Sequence, residues 1–289
     1  MIPNLSVIIP WCDRPEIAET LTANLPIFRS YAMAVTIVNC GGDSTELEKI
    51  VLEAGADALL LHLTDVPFNL SLARNLGLEY SCSEYVFMLD ADVVVSDKTV
   101  RECLTCVDNE HVLAIAHMRE TISPSRPLGN LFGVEISLPF QGLRDVLFIN
   151  EVELQWDNEQ TTTVQFHRSY SSDGGRSGLG QIIVERANLL KVDGYNSEFK
   201  GWGFEDVDVL IRLQYALGLK TRWVGEVMHL SHSDTKRALK NTTRQMNHSA
   251  NLNLALANYA RGNFLGSFSQ DLAKHRDRVQ LRQVHYCPP

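Results

Sequence analysis

Three short stretches of this chain combine residue types and spacings suited to chemistry. In YVFMLDADVVVS, residues 85–96, an apolar run from Tyr85 to Leu89 leads into Asp90, Ala91 and Asp92. Burying ionised carboxylates is costly unless something compensates. Residues two apart on an extended strand point the same way, so Asp90 and Asp92 are expected to address one object beyond the strand end. Hard divalent cations such as Mg2+ and Mn2+ take carboxylate oxygens, commonly with substrate phosphates completing the shell. The plain structural alternative is that the aspartates cap the turn or the helix DKTVRECL that follows.

HLSHSD places His229 and His232 three apart after a predicted strand, close to Asp234. Neutral imidazole is accepted more readily by Mn2+ than by Mg2+. A lone histidine is more often structural; two past one strand end point to a metal, with His232 the preferred ligand and His229 a second contact. GWGFEDVDV sets Trp202 between Gly201 and Gly203, directly before Glu205 and Asp206. The glycines allow positive φ and close backbone approach, and the indole offers a flat apolar face suited to a sugar ring. Acidic residues also stabilise a helix start through the macrodipole, and Asp208 with Arg212 reads as an i,i+4 pair. A carboxylate held there beside a glycine-lined pocket is nonetheless well placed as a general base for a hydroxyl.

The elements that must position these residues follow an α/β rhythm. LSVIIP, MAVTIVNC, ADALLLHL and YVFML read as strands, separated by the helical stretches PEIAETLTANLPIFRSY, TELEKIVLEAG and NLSLARNLGLEYS. Such alternation predicts βαβ units and a parallel sheet, whose ligands bind outside the carboxyl ends of the strands. Asp13, Asn39 and the Asp90/Asp92 pair fall at those ends. Asp43 or Ser44 is the expected cap of the second helix. Between 120 and 185 the pattern weakens, and TISPSRPLGN and SYSSDGGRSGLG read as loops. Regular structure is expected again from QIIVERANLLKVDGY, through a helix ending at Gly218, to the strand in TRWVGEVMHLSHSD. The last fifty residues look like a polar helical strap.

Composition sets bounds. The 289 residues suffice for one large α/β domain, 45% are hydrophobic, and the net charge of -9 argues against a general nucleic-acid-binding surface. Six cysteines are scattered among mostly apolar neighbours, and the C-x-x-C of Cys103 and Cys106 lacks a second pair, so a helical turn of core residues is expected there. No basic leader precedes an apolar run, and no stretch approaches bilayer-spanning length. A cytoplasmic location, free or peripheral at a membrane, is the expectation.

Taken together, the ordered series D-x-D, G-W-G-x-E-D and H-x-x-H resembles glycosyltransferases of the GT-A fold. SVIIPWCDRPEIAETL and LSLARNLGLEYSCSEYVFMLDADV are similar to family-2 glycosyltransferases, and IIVERANLLKVDGYNSEFKGWGFEDVDVLIRL is similar to the carboxyl-terminal part of β-1,4-galactosyltransferases, polypeptide N-acetylgalactosaminyltransferases and chondroitin polymerases. The resemblance implies a GT-A domain over residues 1–235 (a nucleotide-sugar half, 1–118, and an acceptor and catalytic half, 119–235) with a helical extension over 236–289. It implies a nucleotide sugar, UDP-linked by preference, as one substrate and a carbohydrate or other hydroxyl as the other, with Mn2+ or Mg2+ as cofactor. On the same basis Asp92, His232 and His229 hold the metal, and Asp90 contacts the ribose or a metal-bound water. Pro10, Asp13 and Arg14 form the first nucleotide loop, Asn39 meets the base, and Arg74 faces base or diphosphate. Trp202 packs on donor or acceptor sugar and is counted with Gly203 among the donor-binding residues, Glu205 holds a sugar hydroxyl, and Asp206 is the base of an inverting transfer. Two positions depart from the pattern: Asn39 stands where an aspartate is usual, and Phe204 where relatives often have glycine. A retaining transferase, a nucleotidyltransferase and a catalytically inactive carbohydrate-binding relative are the competing readings.

Overall fold

The computed structural model describes residues 3–122, 147–170, 175–232 and 243–285. Its first half alternates as expected: β1 (Leu5–Trp11), α1 (Ile17–Ser30), β2 (Ala34–Cys40), α2 (Ser44–Glu53), β3 (Ala58–Leu63), α3 (Leu70–Tyr80) and β4 (Tyr85–Met88). Then come β5 (Val93–Val95), α4 (Asp97–Cys106), β6 (His111–Glu120), β7 (Leu147–Gln155), β8 (Thr161–Tyr170), β9 (Arg176–Glu185) and α5 (Arg186–Lys191). The chain continues with α6 (Glu205–Leu217), β10 (Lys220–His229), α7 (Arg244–Tyr259), α8 (Phe268–His275) and β11 (Gln280–Val284).

One sheet runs in the order β11-β3-β2-β1-β4-β9-β6-β10-β5. It is parallel from β3 through β2 and β1 to β4. β9 then runs antiparallel between β4 and β6, while β6 and β10 are parallel. All seven residues of β1 are buried, as a strand covered on both faces requires. Alternate residues face opposite layers: Val7, Ile9 and Trp11 belong to the core shared with α1 and α2, whereas Ile8 belongs to the core shared with α3 and α6. Helix starts are fixed by side-chain caps. Asp43 accepts from Thr45 and Glu46 N–H, Asn69 from Leu72 N–H and Ser96 from Thr99 N–H, each worth about 1 kcal/mol. Cys103 is buried on α4, as expected of a core residue.

Three expectations change. Residues 169–180 are not simply a loop, because β8 reaches Tyr170 and β9 begins at Arg176; residues 171–174 lie outside the described set. The segment LFINEVELQ forms β7 and pairs with β8, although the pattern had read as weak there. The polar carboxyl-terminal stretch contains the expected helices, but β11 follows them and adds an antiparallel edge to β3. The loop TISPSRPLGN falls almost wholly outside the described residues. Among the described residues no helix is long and apolar enough to cross a membrane.

Candidate active site

The site gathers where β1, β4 and β10 end. β4 stops at Met88, and the chain turns at Asp90, whose carbonyl accepts from Val93 N–H at 3.2 Å. Helix α1 pins this turn: Thr20 Oγ1 donates to Ala91 O at 2.8 Å, and the Asn24 amide bridges Val93 O and Val95 N–H. Asp90 and Asp92 therefore do not lie on one extended strand, and the expectation that they address one object gives way to two separate clusters.

In the first cluster, strand register brings distant residues together. Val93 of β5 lies opposite His229 of β10, and Leu230 N–H bonds Asp92 O at 2.8 Å. His229 Nε2 stands 3.6 Å from Asp92 Oδ1, and His232 Nε2 stands 3.1 Å from Oδ2. One ligand atom from each of these three residues falls within 4.8 Å of the others. The same pairing places Glu120 of β6 beside His229. Glu120 Oε2 lies 2.6 Å from His229 Nδ1, which leaves Nε2 turned towards Asp92. Carboxylate-oriented imidazoles of this kind are typical behind metal ligands. Ser231 Oγ donates to Glu120 at 2.8 Å and Arg176 lies 3.4 Å from it. One carboxylate and two imidazoles, oriented in this way, fit a divalent cation of the Mn2+ type.

Charge is concentrated here. Burial alone would raise the Asp92 pKa, but hydrogen bonds with His229 and His232 and the charges of His229 and Arg14 hold its carboxylate well below the ordinary range. Burial pushes the His229 imidazole down, and Asp92 and Glu120 more than reverse this, to about 9. Arg14 Nη2 lies 2.5 Å from Asp92 Oδ2 and also contacts His232 Nε2. Arg14 is thus part of the cluster itself.

The second cluster centres on Arg74 of α3, which is fully buried. Its guanidinium donates to Asp206 Oδ1 at 2.5 Å, to Gly180 O at 3.2 Å and to Asp90 Oδ1 at 3.4 Å, and lies over the Tyr195 ring. Gln181 of β9 donates to the other oxygen of Asp90 at 2.6 Å. Gly180 supplies room: a Cβ there would sit 3.1 Å from Asp206 Oδ2 and 3.4 Å from Arg74 Nη2. The Asp206 side chain keeps 24% of its surface open. Glu205 is 7% exposed, and burial, with the neighbouring Asp206 charge, pushes its pKa to about 8. Burial thus favours the protonated form of Glu205, while Asp206 pairs with Arg74.

That shift has a consequence for stability. Between the ordinary value of 4.5 and about 8, folded Glu205 binds a proton that the unfolded chain releases. Its contribution is thus full below that window and is lost as pH rises through it, by up to a few kcal/mol. Urea midpoints measured from pH 5 to 9 are expected to fall more steeply for wild type than for Glu205→Gln. Parallel profiles would show that Glu205 is ionised at neutral pH in the folded chain.

The remaining expected residues are dispersed. Pro10 lies within β1, buried, and does not belong to the loop. β1 pairs with β4 only as far as Ile8, so the missing N–H at Pro10 falls beyond that ladder. Asp13 is exposed, has φ +50°, and accepts from Asp43 N–H at 2.8 Å. Asn39 is fully buried; its amide accepts from Gly42 N–H and donates to Gly42 O, with His62 Nδ1 3.3 Å away. Trp202 is 39% exposed, next to buried Gly203 with φ +100°. Sequence reasoning missed Glu120, Gln181 and the direct contact of Arg14 with the cluster. A glutamine inside the apolar run LGQIIV was the available signal for Gln181; nothing in MRETIS marks Glu120.

Fold and site together define an α/β protein with a cluster that could hold a metal ion at the carboxyl edge of its sheet, where ligands of such folds bind. Residues 6–150 match Glycosyl transferase family 2, and residues 161–235 match the family described as N-terminal domain of galactosyltransferase. The chain belongs to glycosyl transferase family 2. It is 26% identical over 227 residues to a hyaluronan synthase of Pasteurella multocida, covering 75% of this chain and 23% of that one. A chondroitin synthase of Escherichia coli is 23% identical over 224 residues, covering 74% of this chain and 32% of that one. The chain thus spans a third or less of the length of these relatives. Among solved structures, a Drosophila β1,4-galactosyltransferase 7 mutant in complex with manganese, UDP-Gal and xylobiose aligns with TM-score 0.48 and 13% identity, covering 85% of this chain and 78% of that one. Staphylococcus aureus TarS 1–349 in complex with UDP aligns with TM-score 0.47 and 14% identity, covering 78% of this chain and 60% of that one.

Proposed function

We propose that this chain is a metal-dependent, inverting glycosyltransferase that moves a sugar from a nucleotide diphosphate sugar to an acceptor hydroxyl. The favoured nucleotide sugars are of the UDP-galactose or UDP-N-acetylhexosamine type. The observation that carries the reading is the span from cation cluster to base: Asp90 is two residues from Asp92, and Arg74 bridges Asp90 to Asp206. Family membership and the hyaluronan and chondroitin synthases among the relatives support the same chemistry.

Asp92, His229 and His232 would hold the cation, with Glu120 orienting His229. A cation bound there supplies positive charge that stabilises the departing diphosphate. Arg14, beside Asp92, adds a second positive group on the diphosphate side. Arg74 fixes Asp206 with one oxygen and leaves part of the carboxylate open to substrate. The acceptor oxygen attacks the anomeric carbon as the bond from that carbon to the diphosphate oxygen breaks. The bonding pair leaves with the nucleoside diphosphate, and the hydroxyl proton passes to Asp206. Attack opposite the leaving group inverts the anomeric centre.

The test is a panel of UDP-sugars incubated with the protein and Mn2+, following slow donor hydrolysis and then transfer to added glycosides. Hydrolysis of one donor and a product of inverted anomeric configuration are expected. If no UDP-sugar binds when Mn2+ is present, the reading fails. If transfer occurs with retained configuration, only the assignment of Asp206 as base fails.

A further inference from the structure

We propose that α7, in the carboxyl-terminal extension, forms part of the acceptor site, with Asn251 positioning the loop that presents Trp202 to an acceptor sugar. This inference rests on the transferase reading above.

Asn251 is 5% exposed on a helix whose sequence looks solvated. Its amide clamps the loop backbone on both sides of Gly201 and Trp202. Oδ1 accepts from Lys200 N–H at 3.1 Å, while Nδ2 donates to Lys200 O at 3.2 Å and to Gly203 O at 2.7 Å. Three residues of this loop have positive φ: Gly201 at +69°, Gly203 at +100° and Phe204 at +76°. The two glycines adopt positive φ freely, but Phe204 does so at a cost, and the hydrogen bonds from Asn251 help hold the loop in this conformation. Neighbours on α7 complete the wall. Asn247 occupies with its Nδ2 the space a Gly201 side chain would need. His248 approaches the Gly203 Cβ position to 3.1 Å and meets the Phe204 ring edge-on. At its far end α7 places Tyr259, whose hydroxyl donates to Asp208 Oδ1 at 2.6 Å, on the first turn of the helix that carries Asp206. The helix therefore steadies both the Trp202 loop and the start of α6.

The chemistry of this loop suits the acceptor and not the nucleotide sugar's diphosphate. Its one cationic side chain, Lys200, directs Nζ to Ser197 O at 2.9 Å. None of the residues in the cation cluster comes from it. A half-open indole offers a flat apolar face that matches the C–H face of an uncharged sugar ring. The loop also leads directly into Glu205 and Asp206, so a ring seated on Trp202 brings its hydroxyl to the base.

The experiment compares this chain as wild type with Asn251→Ala and His248→Ala. Two reactions are followed with Mn2+: UDP-sugar hydrolysis without acceptor, and transfer to a panel of p-nitrophenyl glycosides. Loop displacement of about an ångström can cost up to about a hundredfold. Asn251→Ala is therefore expected to raise the glycoside KM at least about tenfold, with donor KM and hydrolysis rate within about twofold of wild type; His248→Ala is expected to move the same parameter less. An unchanged glycoside KM in both variants overturns the inference. So does a parallel loss of hydrolysis and transfer, which a merely structural role would give. A wild type that hydrolyses donor yet accepts no glycoside overturns the sugar assignment. Absence of donor hydrolysis in wild type overturns the parent reading instead.

Discussion

Asp206→Asn is expected to lower sugar transfer by about 10²–10⁴-fold, the usual contribution of a positioned base, with donor and Mn2+ affinity close to wild type. Asparagine keeps the shape and one carbonyl oxygen, so it can still accept from Arg74 Nη1, which now reaches Asp206 at 2.5 Å. What it cannot do is take the acceptor's proton. The substitution also removes the charge that helps push Glu205 up to about 8, so Glu205 should ionise more readily and partly replace the lost negative charge beside Arg74. Stability is expected to drop only modestly, whereas alanine would leave Arg74, fully buried, with a lost partner and cost more. Steady-state rates with saturating donor, alongside a urea melt, separate the two effects. Full transfer activity in a folded Asp206→Asn protein would remove Asp206 from the role of base while leaving the cation site untouched.

The residues of the two candidate clusters were legible because their types are conspicuous against apolar strands. Asp90 and Asp92 stand out after YVFML, and the two histidines stand out after VM. Their partners were not legible, because pairing register chose them. Glu120 meets His229 only because β6 and β10 run parallel in one register. Alternation in LFINEVELQ, with Val152 and Leu154 partly buried between exposed Glu151 and Glu153, was a period-2 signal for β7 that nearby Gly- and Ser-rich loops obscured. Asn251 looked like surface because a helix bearing many polar residues gives no sign of which one turns inward. Phe204 is the instructive departure. Its φ of +76° is a conformation glycine adopts freely, which explains why glycine suits that place in related sequences. Here the ring is 6% exposed and packs against His248; apolar burial of roughly 1.5–3 kcal/mol offsets a left-handed cost of about 1–2 kcal/mol. The sequence difference thus marks a loop held by packing against α7.

Asp92→Asn is expected to weaken Mn2+ binding by at least about 100-fold, because loss of an orienting partner alone costs about 10–100-fold and Asp92 is proposed as a ligand itself. The reason lies in the charge distribution. Asp92 is the one carboxylate among the three proposed ligands, and the other two are imidazoles. A cation bound by neutral nitrogens alone would sit beside the Arg14 guanidinium, now 2.5 Å from Asp92 Oδ2, with nothing negative between them. Glu120→Gln provides the graded comparison. It leaves all three ligands in place but weakens the hold on His229 Nδ1, so Mn2+ affinity should fall by about 10–100-fold and activity should return at high Mn2+. Excess metal should not rescue Asp92→Asn to the same degree. Direct Mn2+ titration by calorimetry or by the spin-resonance signal of free Mn2+ reads both variants without depending on turnover. Equal Mn2+ affinity in Asp92→Asn and wild type would place the cation elsewhere; the cluster would then be an ion-paired seam joining β5, β10 and the loop after β1.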